Sequence, residues 1–81
     1  MVDKIARQFK RANEHVVVFQ FNSTQHMQAF RKDVANLIMS LEGNTKKRTM
    51  EVVVQKDLLY KVVAQAGKHK ADLLTIDGET S

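Results

Sequence analysis

The chain has 81 residues, 43% of them apolar and 27% charged, which fits one small domain with an ordinary core and excludes both a disordered chain and a multidomain one. It contains no cysteine, so neither disulfides nor a thiolate metal site can hold it together and packing must do so. The formal charge of +4 is unevenly spread: all 13 Lys and Arg lie at or before Lys70, while Asp72, Asp77 and Glu79 follow without a base, a bias toward acidic partners.

Over residues 2–12, Val2, Ile5, Phe9 and Ala12 recur at helical spacing, and Lys4, Arg7, Lys10 and Arg11 fall on the other side. Asn13 suits the left-handed position that closes a helix. Residues 15–21 then place Val17, Phe19 and Phe21 on one face and Val16 and Val18 on the other. That β-branched and aromatic composition reads as a strand apolar on both sides, expected in the middle of its sheet.

Asn22, Ser23 and Thr24 supply side-chain oxygens that can cap a helix. The spacing predicts this helix over residues 24–42, because Met27, Phe30, Val34, Leu37, Ile38 and Leu41 share roughly one third of the circumference at about 100° per residue. Gly43 marks its end. After the loop Gly43, Asn44, Thr45, Lys46, Lys47, Arg48, a second strand is expected over residues 49–55. Met50, Val52 and Val54 point one way, and the polar alternates read as those of an edge strand.

Asp57 is the expected cap of a third helix with the stripe Leu58, Leu59, Val62, Val63 and Ala66, ended by Gly67. Residues 71–76 read as a third strand with Leu74 and Ile76 inward. The resulting order is αβαβαβ: an α/β fold in a single domain over residues 1–76, built on a three-stranded sheet, parallel or mixed, of order 2-1-3 with helices on both faces. Residues 77–81 are expected to form a frayed polar tail.

No apolar run approaches the roughly 18 residues that span a bilayer, and the N-terminus lacks the apolar middle of a secretory signal. No membrane association and a cytoplasmic location are expected. Catalysis and metal binding need converging groups, yet His15, His26 and His69 lie on three separate elements without metal-ligand spacing. Asp33, Glu42 and Glu51 are scattered over polar faces. The chain's 3 glycines are isolated from one another, so no phosphate-cradling loop is present. The expectation is a non-enzymatic protein without metal or cofactor.

Two basic features remain. Lys4, Arg7, Lys10 and Arg11 cover an arc of about 120° opposite an apolar stripe, and Lys46, Lys47 and Arg48 form a positive knob on a loop. Both can contact backbone phosphates without reading sequence, so a regulatory nucleic-acid-binding protein is the leading expectation. Of the aromatic side chains, Tyr60 alone lies off its helix's apolar side as a stacking or interface residue. The alternative is an adaptor or inhibitor that binds a protein through an edge strand or a helix face. Met39, Met50 and Tyr60 would then be its contacts, and a homodimer would form through an edge strand or Met39.

Overall fold

The computed structural model describes residues 13–80; the helix expected over residues 2–12, with Lys4, Arg7, Lys10 and Arg11, lies outside the described residues. The elements are β1 (Glu14–Gln20), α1 (Thr24–Val34), β2 (Ile38–Asn44), β3 (Thr49–Gln55), a single 3-10 turn (Lys56–Leu58) leading into α2 (Leu59–Lys68), β4 (Asp72–Ile76) and β5 (Glu79–Thr80). They form one sheet of order β2-β3-β1-β4-β5 in which every neighbouring pair is antiparallel.

This overturns the expected three-stranded parallel or mixed sheet of order 2-1-3 with helices on both faces. β1 and β2 run parallel with β3 between them, and β3 and β4 run parallel with β1 between them. Two interlocked split β-α-β units of this kind make up the plan called ferredoxin-like. Both described helices lie on one face of the sheet, since Met27, Phe30 and Val34 of α1 and Val62 and Ala66 of α2 join Val17, Phe19, Val52 and Val54 in a single buried cluster.

The main departure lies in residues 35–44. Helix α1 begins as expected, with the Ser23 hydroxyl accepting from the His26 amide at 3.2 Å, but it stops at Val34. The amide of Leu37 turns back onto the Val34 carbonyl at 2.8 Å, and the chain enters β2. In β2 the pairing is Ile38 with Val54, Ser40 with Val53 and Leu41 with Val52, the register shifting at Met39. Because the bulge inserts one residue, Ile38 and Leu41 face the core together at a spacing of three. In a sequence that spacing imitates a helix.

The same device recurs in β4. Leu73 pairs with Phe19, Thr75 with Val18 and Ile76 with Val17, so Leu73 and Ile76 pack on the core and Leu74 is the bulged residue. The expected inward pair Leu74 and Ile76 is therefore corrected to Leu73 and Ile76. Strand β3 occupies the expected residues with Met50, Val52 and Val54 buried, but it is internal, between β2 and β1, and the edges are β2 and β5.

Helix α2 has no side-chain cap, so Asp57 does not take the expected role, and Gly67 lies inside the helix. Its exit is a Schellman turn: the Lys70 amide donates to the Gly67 carbonyl at 3.1 Å and the Ala71 amide to the Ala66 carbonyl at 2.9 Å. Lys70 sits there with φ 58°. Residues 77–80, expected within a frayed tail, include β5, paired to β4 through the two-residue turn Asp77-Gly78. Both turn residues have positive φ, 54° and 83°, as a tight antiparallel hairpin requires.

Candidate nucleic-acid interface

The cationic knob sits at the tip of the β2–β3 hairpin. Asn44 pairs with Thr49, leaving a four-residue loop in which Lys46, Lys47 and Arg48 are all exposed. A loop of lysines would ordinarily wander, but this one is tied down. The Asn44 side-chain oxygen accepts from the Lys47 amide at 3.1 Å, forming a local turn. Arg48 closes the loop in the left-handed region at φ 54°, a conformation few side-chain-bearing residues adopt.

Contacts distant in sequence hold that conformation. The Phe21 amide donates to the Arg48 carbonyl at 2.7 Å. The Gln20 side-chain amide reaches the carbonyls of Lys47 at 2.7 Å, Arg48 at 3.2 Å and Phe21 at 3.3 Å. The Arg48 guanidinium donates to the Asn22 carbonyl at 3.3 Å. The hairpin tip is thereby fastened to the junction of β1 and α1. Lys46 and Lys47 keep their charges in solvent on a fixed backbone, while Arg48 divides its donors between that junction and solvent.

Beside the hairpin, a groove of about 140 Å³ runs between α1 and β2. Its floor is Met27, Leu41, Gly43 and Met50. Thr24, Gln28 and Arg31 of α1 and Thr45 of the hairpin form its rim. No acidic residue lines it, and Arg31 and Lys32 in the last turn of α1 extend the positive charge along the helix. Gly43 is exposed and stands opposite Met50 in the ladder, so its missing side chain leaves the groove open.

The other residues expected to make contacts are dispersed. Met39 is 50% exposed at the bulge of β2 and Tyr60 is 67% exposed in the first turn of α2, on different elements. Met50 is buried, at 3% exposure, and belongs to the groove floor. Phe19 and Phe21 are buried with Phe30, whose ring centroid lies 5.4 Å from the first and 5.2 Å from the second. Among the described residues no phenylalanine offers the exposed ring on which a sheet-face RNA binder stacks bases.

Two histidine–carboxylate pairs form that the sequence does not announce. His69 Nε2 lies 2.6 Å from an oxygen of Asp33, joining α2's exit to α1, and its ring meets Phe30 edge-on at 6.2 Å. His15 Nδ1 lies 2.7 Å from Asp77, whose other oxygen accepts from the Val16 amide at 2.9 Å. That carboxylate fastens the β4–β5 turn to β1. The two pairs stand on separate elements, and each ties together segments distant in sequence. Among the described residues no group of three His, Asp or Glu could hold a metal ion, and no helix is long and apolar enough to cross a membrane.

The anchoring of the hairpin and the groove beside it are what sequence reasoning missed. Thr24, Gln28 and Arg31 at spacings of four and three mark one side of a helix, but only the pairing of Gly43 with Met50 reveals what they face. In comparisons with known proteins the chain matches no family model, no curated protein and no solved structure. The fold alone carries no function.

Proposed function

We propose that the protein is a non-enzymatic nucleic-acid-binding protein that contacts backbone phosphates through the β2–β3 hairpin, with Lys46 and Lys47 as the principal cations and Arg48 beside them. The observation that carries this reading is the hairpin's anchoring: two free ammonium groups are presented on a loop held by Gln20, Phe21 and Asn22. Such a loop loses less freedom on binding than a mobile one. Arg31 and Lys32 on the neighbouring helix add charge of the same sign, and the net charge of +4 favours encounter with a polyanion.

Salt dependence tests it. Each phosphate contact contributes about −0.9 to the slope of log K against log salt on a duplex and about −0.7 on a single strand. The Lys46→Ala, Lys47→Ala double variant is expected to flatten the slope by about 1.8 on a duplex or about 1.4 on a single strand. An unchanged slope, or no binding to any strand at low salt, overturns the reading.

One observation favours a second reading. β2 is a sheet edge on which Met39 stands half exposed, and a protein strand or a second copy can add to such an edge. Light scattering of the wild-type chain and of Met39→Lys separates the two. A dimer mass that falls to a monomer in the variant favours edge pairing, and a monomer in both removes the homodimer.

A further inference from the structure

We infer that the groove over Gly43 is a slot for one nucleobase, so that the preferred ligand is a single strand whose phosphates lie on Lys46 and Lys47 and one of whose bases turns in between α1 and β2. This rests on the phosphate-binding reading above and adds what that reading lacks, a way to tell a strand with accessible bases from a closed duplex.

A strand glycine often marks the place where another molecule approaches closely. A Cβ at position 43 would lie 3.9 Å from Met27 Cε and 4.0 Å from Met50 Cγ, in ordinary contact, so glycine is not required by crowding or by a left-handed φ. What it does is leave the groove empty. The floor then offers Met27 Cε and Met50 Cγ, parts of two adaptable and polarisable side chains that can pack against an aromatic heterocycle. The rim offers groups of both kinds: the Gln28 amide and the Thr24 and Thr45 hydroxyls can donate or accept, and Arg31 donates. That mixture suits the edge of a base. At about 140 Å³ the space is far below the roughly 300 Å³ at which pockets for whole small-molecule ligands begin, which favours a single planar ring. The charge around it is positive on both sides, from Arg31 to Lys46, so the group that enters arrives on an anionic chain. Thr45 joins the groove to the lysines without a break.

The test uses the full chain and fluorescence anisotropy on three labelled oligonucleotides of equal length: a single strand with bases, the same strand with abasic sites throughout, and a duplex. The wild type is expected to bind the base-bearing strand about tenfold more tightly than the abasic one, the scale of packing one ring against the two methionine side chains. Gly43→Leu fills the groove and is expected to remove that preference while leaving the affinity for the abasic strand and its salt slope at wild-type values. Gln28→Ala, on an exposed helix position, is expected to reduce the preference in part and serves as the deciding variant should Gly43→Leu fail to fold. Equal binding of the two single strands by the wild type overturns the slot and leaves the phosphate reading standing. So does a preference that survives Gly43→Leu in a folded protein or, where that variant does not fold, Gln28→Ala. If none of the three oligonucleotides binds, both readings fall together.

Discussion

The two faces of the central strands carry the same kind of residue and have different consequences. On the face covered by α1 and α2, Val17, Val52 and Val54 are fully buried at 0% exposure. On the opposite face, which neither described helix covers, Val16, Val18 and Val53 are only partly buried. Alternation places Val52 and Val53 one residue apart in one strand, with almost identical propensity and opposite surroundings. The comparison teaches that burial, and not β-propensity, concentrates stability on the helix side.

The largest expected effect is at the centre of that covered face. Phe30 is fully buried and its ring meets Phe19, Phe21 and His69, linking α1 to β1 and to the exit of α2. Phe30→Ala is expected to cost about 3–5 kcal/mol, read as a lower denaturation midpoint with an unchanged m-value. Asp33→Ala, which removes the partner of His69 but leaves Phe30 in place, should cost far less. Equal losses would assign the joint to the polar pair.

Valines 52 and 53 give the direct contrast. Val52→Ala removes two methyl groups from full burial and is expected to cost about 2–3 kcal/mol, transfer and cavity terms together. Val53→Ala, on the other face of the same strand, is expected to cost about 1 kcal/mol or less. Comparable losses at the two positions in urea titrations would break the distinction between the faces.

The same contrast explains which parts of the fold were legible. β1 and β3 alternate without interruption, so their residues and buried faces could be read from valine and phenylalanine spacing. β2 and β4 could not be read so well, because each contains a bulge, at Met39 and Leu74, that moves core contacts from a spacing of two to a spacing of three. In β2 the imitation was complete: Leu37, Ile38 and Leu41 prolonged the stripe of Met27, Phe30 and Val34, a strand was absorbed into a helix, and the topology followed. The Asp77-Gly78 turn carried a hairpin signal, obscured by a following strand of two residues. At the candidate interface the cations of residues 46–48 were visible at once. Their anchoring was not, since Gln20 and Asn22 lie 26 to 28 residues away, and no local pattern reports a contact of that range.

The smallest expected effect is a gain, at the seam where the chain leaves the helix layer and enters the sheet. Lys70 holds φ 58° at the position of the Schellman turn where glycine is usual. Its side chain is exposed, so it contributes no burial to offset the left-handed backbone, which costs a residue with a Cβ about 1–2 kcal/mol. Lys70→Gly relieves that strain and gives back part of the benefit through the greater freedom of glycine in the unfolded chain. A net stabilisation of about 0.5–1 kcal/mol is expected, as a higher midpoint at unchanged m. The turn delivers Ala71 and Leu73 to the covered face, so a loss instead of a gain would mean that the Lys70 side chain itself, and not the turn's backbone, secures the entry of β4 into the core.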